Sequence, residues 1–111
     1  MTHNAHKFQG LSGRWYQFEM CDLPAATKPA CGVYLFGRSR SDGLYDVLYI
    51  GRASVLKNRV KDNHEKFGPA RSMGMTTLGQ LACGSEQLAD LIERDSISMF
   101  APPLNDNLKS T

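Results

Sequence analysis

Short runs of apolar residues in the first half of the chain have the pattern of β-strands. The runs GVYLF (32–36) and YDVLYI (45–50) are rich in aromatic and β-branched residues, which predicts two strands. The segment between them ends in Asp42-Gly43, a tight-turn signal, so the two strands are expected to form a long hairpin. The run WYQFEM (15–20) also alternates, which indicates either a short edge strand or a turn of helix.

A helix is predicted directly after the second strand. Ser54 is a suitable N-cap for a helix that begins at Val55, and Gly68-Pro69 is a stop signal. The apolar residues between these two signals follow helical spacing, and they are Leu56, Val60 and Phe67. We therefore expect one continuous helix between Val55 and Gly68.

A third strand and a second helix complete the predicted fold. Alternation in residues 72–84 favours a strand, although Gly74 and Gly79 weaken this interpretation. Ser85 is expected to cap the last helix, and the Ala-Pro-Pro run at 101–103 to close it. Its predicted apolar face consists of Leu88, Leu91, Ile92 and Met99. Asp95 falls inside this face, and the sequence offers no reason for it.

The order β-β-α-β-α predicts an α+β fold, with a small three-stranded antiparallel sheet flanked by helices. A chain of 111 residues suits one domain, expected over 30–107. Residues 1–29 are then an N-terminal extension and loop, which opens with a lead-in over 1–10, and 108–111 form a C-terminal tail.

Charge and cysteine content indicate which partners and which cellular compartment suit the chain. Residues 28–71 carry nine Lys or Arg against four Asp or Glu, a block that suits either a polyanionic partner or a solvated surface. The chain opens on a polar stretch and has no apolar run of membrane-spanning length, so a cytoplasmic, reducing setting without membrane contact is expected. Cys21, Cys31 and Cys83 form no Cys-x-x-Cys pair. Buried free thiols are therefore favoured over a zinc site shared with His64.

Four motifs in order resemble one known family. They are GVY (32–34), YIG (49–51), LKNRV (56–60) and ERDSISMFAPPLN (93–105). Together they are similar to the GIY-YIG nuclease superfamily, both to the N-terminal nuclease domain of a bacterial excinuclease and to stand-alone members. The resemblance implies a metal-dependent endonuclease that uses Mg²⁺ or Mn²⁺ to hydrolyse DNA, one strand per active site.

The resemblance also assigns roles to single residues. It implies that Tyr34 activates the attacking water, that Tyr49 lines the same site and that Arg59 binds the scissile phosphate. Glu93 is implied as the carboxylate that holds the metal, with Glu86 as a rival at a less suitable spacing from the end of the motif. Asn105 is implied to fix the architecture of the site.

Further positions have secondary expected roles. Gly51 is expected to end its strand and turn the chain toward the helix, and Gly32 is a second structural glycine. The family often places a histidine or tyrosine four residues after the arginine, where this chain has Asn63. His64 then reaches the site only if the helix ends or bulges there. The expected DNA contacts are Arg38, Arg40, Arg52, Lys57, Lys66 and Asn63.

The residue types suit phosphodiester hydrolysis. An unperturbed phenol loses its proton near pH 10, so a tyrosine base needs help from a metal or a cation. One carboxylate with waters is a normal Mg²⁺ site, and arginine offers two parallel donors to a phosphate. A non-catalytic nucleic-acid-binding module and a small protein that binds an acidic partner are the alternatives. Selectivity is expected to come from DNA structure, a partner protein or a homodimer.

Overall fold

A computed structural model describes residues 3–105, and of His3 only the backbone. The elements in chain order are β1 (His3–Gln9), β2 (Trp15–Asp22), β3 (Gly32–Ser39), β4 (Tyr45–Ala53), α1 (Leu56–Arg59), α2 (Phe67–Ser72), β5 (Thr77–Ala82) and α3 (Glu86–Phe100). The strands form one sheet in the order β1-β2-β5-β3-β4, in which every neighbouring pair is antiparallel. The fold is therefore α+β, as predicted.

The sheet has five strands where the sequence predicted three. The expected lead-in instead contains β1, which pairs with β2 from His3 opposite Cys21 to Gln9 opposite Trp15. The run at 15–20 is a strand and not a helical turn. It lies between β1 and β5 and pairs with both. The apolar signal of β1 is weak, because Phe8 is its single fully buried side chain among those described. Backbone hydrogen bonds to β2 hold β1 in the sheet, although its side-chain pattern does not predict a strand.

The expected helix after β4 is two short helices separated by turns. α1 ends at Arg59, and its N-cap is Val55 without a side-chain cap bond, so Ser54 does not have the predicted role. α2 begins at Phe67, which means that Gly68-Pro69 opens a helix and does not end one. Proline is tolerated there because the first turn of a helix needs no backbone donor. The break leaves residues 60–66 as an irregular segment, here called the 60–66 segment.

The last helix begins and ends as predicted but turns a different face inward. Ser85 accepts a hydrogen bond from the Leu88 backbone amide, and Ala101 adopts a left-handed conformation with φ of 43° at the C-cap. Three residues of the predicted apolar face are exposed, namely Leu88, Leu91 and Met99. The buried positions are Ala89, Ile92 and Ser96. Two of these are small, which lets α3 lie close to the sheet.

Asp95 anchors the N-terminal hairpin to α3. Its carboxylate accepts hydrogen bonds from the Ser12 amide at 2.9 Å, the Ser12 hydroxyl at 2.6 Å and the Tyr16 hydroxyl at 2.6 Å. The Ser12 hydroxyl is the main cause of a lowered pKa of Asp95. The polar residue that interrupts the predicted apolar face is thus a tether between the two ends of the fold.

The two faces of the sheet bury separate cores. Along β3, Val33 and Leu35 point to the α3 side, while Tyr34 and Phe36 point to the side of α1 and α2. The second core also holds Phe67 and therefore fixes the 60–66 segment against the sheet. Across residues 3–105, no helix is long and apolar enough to cross a bilayer.

Candidate active site at the β4 edge

Tyr34 and His64 form a buried hydrogen-bonded pair. The Tyr34 hydroxyl lies 2.7 Å from His64 Nε2, and Tyr34 is 1% exposed. His64 Nδ1 accepts the Lys66 backbone N–H at 3.0 Å, so the proton of the neutral ring belongs on Nε2, which donates to the tyrosine oxygen. Burial lowers the pKa of His64, and the charge of Arg59 lowers it further. His64 reaches Tyr34 because α1 ends at Arg59.

Tyr49 is half-buried and its ring packs beside this pair. Its ring lies 6.1 Å from that of Tyr34, centroid to centroid, and it lines an open cleft. Burial raises the pKa of both phenols. At Tyr49 a hydrogen bond with Tyr34 and the charge of Arg59 oppose this rise, since both stabilise a phenolate. Of the two tyrosines, Tyr49 is therefore the one whose hydroxyl can meet a substrate.

Gly51 gives the Tyr34 ring its space. The two residues are directly opposite in the β3–β4 pair, and a Cβ added at Gly51 would lie 2.5 Å from both Cζ and Oη of Tyr34. The expectation that Gly51 ends its strand is wrong, because β4 continues to Ala53. At Gly32 an added Cβ would collide with the Leu81 carbonyl of the neighbouring strand. Both motif glycines therefore permit close packing inside the sheet.

Arg59 is held by a bidentate ion pair. Its Nη1 donates to Glu65 Oε1 at 3.0 Å and its Nη2 to Oε2 at 2.6 Å. These hydrogen bonds are the main reason that the pKa of Glu65 falls to about 2. A guanidinium presents the same two parallel donors to a phosphate as to a carboxylate. Glu65 thus occupies the two Arg59 donors that, according to the family resemblance, bind the substrate phosphate.

Glu93 lies on α3 and faces the same cleft. Its side chain is 21% exposed, and Oε1 accepts from Arg52 Nε at 3.2 Å. Burial raises the pKa of Glu93, while Arg52 opposes the rise. Arg52 also pairs with Asp90 at 3.3 Å. Glu86, the rival carboxylate, is exposed at the start of α3 and is absent from the cleft lining.

Asn105 binds the outer edge of β4. Its Nδ2 donates to the Ile50 carbonyl at 2.8 Å, and its Oδ1 accepts the Ile50 amide at 2.9 Å. The Leu104 amide also donates to the Leu48 carbonyl at 3.0 Å. The Asn105 side-chain amide therefore pairs with β4 as the backbone of a neighbouring strand would. These hydrogen bonds hold the segment after α3 against β4, beside the cleft.

The cleft has a volume of about 520 Å³ and lies around the β4 edge. It is lined by Tyr49, Glu65, Lys66, Glu93, Arg94, Ile97, Ser98 and Asn105. Four parts of the chain meet here, namely β4, the 60–66 segment, α3 and the segment after α3. Within residues 3–105, three or more His, Cys, Asp or Glu side chains do not cluster as a metal cage. The donor set instead fits a cation such as Mg²⁺, which takes one carboxylate and keeps its waters.

The expected DNA contacts divide among several places. Arg38 and Arg40 lie at the β3–β4 turn, where they pair with Asp46 and Asp42 at 2.8 Å, and neither lines the cleft. The remaining four are distributed as follows: Lys66 lines the cleft, Arg52 binds Glu93, Lys57 is exposed on α1 and Asn63 lines a second cavity.

Sequence reasoning missed Glu65, Arg94 and Ser98 in the lining of the cleft. The available signal for Glu65 was its position beside His64, in the turn that follows the motif arginine. Arg94 and Ser98 lie on the same α3 helix as Glu93, one and five residues beyond it, and Ser98 follows Arg94 by one helical turn, so these two share a face. These side chains add polar and charged groups to the cleft beyond those that the motifs suggest.

Comparison with known proteins gives a partial similarity. The chain is 31% identical over 84 residues, 70% of its length, to the UvrABC system protein C of Clostridium beijerinckii. It spans 13% of that protein's length. No family model matches the chain, and no solved structure matches it. The similarity supports, weakly, a relationship to one part of a UvrC-type protein.

Proposed function

We propose that this chain is a GIY-YIG-type nuclease domain, a metal-dependent endonuclease that hydrolyses DNA phosphodiester bonds, one strand per active site. The observation that carries the proposal is the convergence of Tyr49, Glu93 and Asn105 on one cleft, with the Tyr34–His64 pair directly behind it. Motif order and the similarity to UvrABC system protein C support the same class. A binding module has no need of the carboxylate, which without a metal only repels phosphate.

In this reaction a water oxygen bonds to phosphorus while the bond to one ester oxygen breaks. We assign proton removal from the water to Tyr49, because Tyr49 lines the cleft while Tyr34 is buried. Tyr49 would act as a phenolate that takes one proton from the water, and the departing ester oxygen would take up a proton from solvent. The Tyr34 hydroxyl would donate a hydrogen bond to the Tyr49 oxygen, and His64 Nε2–H donates a hydrogen bond to the Tyr34 oxygen. This chain stabilises negative charge on the Tyr49 oxygen. Activation of the attacking water, which the resemblance assigned to Tyr34, is thus assigned here to Tyr49.

Glu93 is the residue that would hold the metal. Its partly desolvated carboxylate gains from a cation, and Arg52 occupies that role in the described structure. A divalent ion held by Glu93 would supply Lewis-acid stabilisation of the phosphate and of the departing oxygen. Arg52 would then have to release its hydrogen bond to Glu93, while its ion pair with Asp90 could remain.

Arg59 is the proposed phosphate ligand. The substrate phosphate replaces the Glu65 carboxylate on the same two nitrogens, so the guanidinium keeps its geometry. Glu65, released from the pair, stays beside the cleft. Lys66, which lines the cleft next to Glu65, adds positive charge for the approaching strand.

The test is a nicking assay on supercoiled plasmid with Mg²⁺ or Mn²⁺. We expect the wild type to convert supercoiled to nicked circles and Glu93→Gln to lose this activity, while chelator abolishes it. Lys7→Gln, an exposed change on β1, is the matched control and keeps activity. Equal nicking by wild type and Glu93→Gln would refute the assigned metal residue, since its carboxylate would then be dispensable.

A second candidate is a non-catalytic nucleic-acid-binding module on the same fold. The ion pairs Arg59–Glu65 and Arg52–Glu93 favour a binding module, because they neutralise both arginines and both glutamates without a bound substrate or metal. Salt-dependent binding to DNA with no cleavage at any metal concentration would favour this alternative. For either function, a partner protein or a homodimer is a proposed source of DNA selectivity.

A further inference from the structure

A second cavity is bordered by the same 60–66 segment that borders the cleft. Its volume is about 470 Å³, and Val60, Phe67 and Leu78 give it apolar walls. Lys61, Asn63 and Arg71 add polar groups. The cavity therefore combines apolar walls with two cations, an amide and the Asp62 carboxylate, which suits a flat, partly polar ring attached to a phosphate.

Arg71 lies over the Phe67 ring, with Cζ 5.5 Å from the ring centroid. The Phe67 ring also stacks on Phe36, at a centroid distance of 4.8 Å and an interplanar angle of 7°. Phe67 is thus held on one side by the core and covered on the other by a guanidinium. A guanidinium plane supported in this way is a platform on which a nucleobase can stack.

The charges of this cavity differ from those of the cleft. Beside the cleft, Arg52 and Arg59 do not line it themselves but pair with Glu93 and Glu65, which do. Lys61 and Arg71 make no ion pair among residues 3–105, and Asp62 is the acid that lines the cavity with them. An incoming strand therefore meets two cations here that have no competing carboxylate bound to them.

The two cavities are neighbours along the chain. Arg59, the proposed phosphate ligand, precedes Lys61 by two residues, so their Cα atoms are at most about 7 Å apart. Residues 60–63 line the second cavity, while Glu65 and Lys66 line the cleft. A nucleotide adjacent to the bound phosphate can therefore reach the second cavity.

We propose that this cavity holds an unpaired nucleobase of the substrate strand, next to the phosphate bound by Arg59. The base stacks on the Arg71 guanidinium, its edge meets the Asn63 amide, and Lys61 binds the attached phosphate. The inference rests on the proposed nuclease function. Since a paired base cannot leave its stack without cost, the protein selects DNA that contains unpaired nucleotides over continuous duplex.

Binding by fluorescence anisotropy, in chelator so that no cleavage occurs, tests the proposal. Two labelled DNAs of equal length are compared, a continuous duplex and the same duplex with a short unpaired bubble. We expect wild type to bind the bubble roughly tenfold or more tightly, the scale of one stacked base. Arg71→Gln should lose this preference and still bind duplex within about threefold, since a phosphate cation contributes modestly.

Arg14→Gln is the matched control, because Arg14 is exposed at the turn between β1 and β2 and makes no ion pair among the described residues. It should keep the preference for the bubble. A second readout is 2-aminopurine placed in the bubble, whose fluorescence should fall on binding to wild type and stay high with Arg71→Gln. Thermal melts of both variants verify that each is folded.

Equal binding of both DNAs by wild type, or equal preference in Arg71→Gln and Arg14→Gln, would overturn the cavity assignment. If plasmid nicking persists in that case, the nuclease proposal stands and only the base site fails. Absence of both nicking and DNA binding would overturn the two together.

Discussion

Glu65 places its two carboxylate oxygens on the two terminal nitrogens of Arg59, at 3.0 and 2.6 Å. The carboxylate thereby stands in for the phosphate that Arg59 is proposed to bind. DNA must displace an intramolecular competitor, so the affinity of the free cleft is lower than its cations alone would provide.

Glu65→Gln should therefore strengthen DNA binding. Removal of the competing charge frees Arg59, and because the pair is exposed we expect a gain of up to about fivefold in affinity. The slope of affinity against salt should steepen by about one counterion. Anisotropy titrations over a salt series measure both quantities. Glu86→Gln removes an exposed acid outside the cleft, and a gain of the same size there would assign the effect to net charge.

Substitution of the two tyrosines should separate their roles. Tyr49→Phe removes the hydroxyl of the tyrosine that lines the cleft, and we expect nicking to fall by about a hundredfold or more. Tyr34→Phe removes the buried donor behind it and should cost less, about tenfold, because Tyr49 still meets the water. Initial rates of plasmid nicking give the comparison. A larger loss in Tyr34→Phe than in Tyr49→Phe would return the role of base to Tyr34.

His64 should make stability depend on pH near neutrality. Its folded-state pKa lies below the unfolded value of about 6.5, so the unfolded state binds more protons as pH falls. The stabilisation is complete above pH 6.5 and declines as pH falls from there toward the folded pKa. Thermal unfolding between pH 7.5 and 5.5 should show a falling Tm in the wild type. His64→Asn should be less stable overall and flatter over the same range, and an equal slope in both would exclude His64 as the cause.

Gly51→Ala should disturb the Tyr34–His64 pair. The new methyl group would lie 2.5 Å from the Tyr34 Cζ and Oη atoms, inside a packed core. We expect about 1–3 kcal/mol of lost stability in urea denaturation, together with weaker nicking. At Gly84 an added methyl meets no atom within 4 Å, so Gly84→Ala is the matched control. Equal stability of the two variants would mean that the ring moves aside freely.

Asp95→Ala should loosen the N-terminal hairpin. The change removes the acceptor for Ser12 and Tyr16, and we expect a loss of about 1 kcal/mol in urea denaturation. Hydrogen exchange should accelerate in β1 and β2 more than in β3 and β4. Asp62→Ala, an exposed acid on the 60–66 segment, should leave both readouts near wild type. Uniform acceleration over all strands would show that the tether acts on the whole fold.

The parts of the fold that the sequence predicted correctly have local signals. The β3–β4 hairpin follows from two apolar runs and a tight-turn pair, and α3 follows from Ser85 at its N-cap. β1 has no comparable signal, because its place in the sheet depends on pairing with β2 and on the contact of Asp95 with the hairpin turn. The contact of Asp95 with the hairpin turn spans 83 residues and has no periodic trace in the sequence.

Some residues of the candidate site could likewise be predicted from the sequence, and others could not. Motif order brought Tyr34, Tyr49 and Glu93 to attention, since each lies on a strand or helix with a recognisable pattern. The place of His64 depended on a helix break that apolar spacing concealed, because Leu56, Val60 and Phe67 are all buried although they lie on different segments. The Arg59–Glu65 pair depends on the same turn, so it could not be predicted either.

Asn105 also limits how copies of this fold can join edge to edge. Its amide and the Leu104 backbone occupy the outward groups of Ile50 and the Leu48 carbonyl, so a foreign strand could not pair with β4 at these positions beside the cleft. The opposite margin of the sheet is β1. A continuous sheet formed through two β1 strands would hold the two clefts roughly 40 Å apart. If the proposed nuclease function holds, such an assembly would place its two active sites at well-separated positions on DNA.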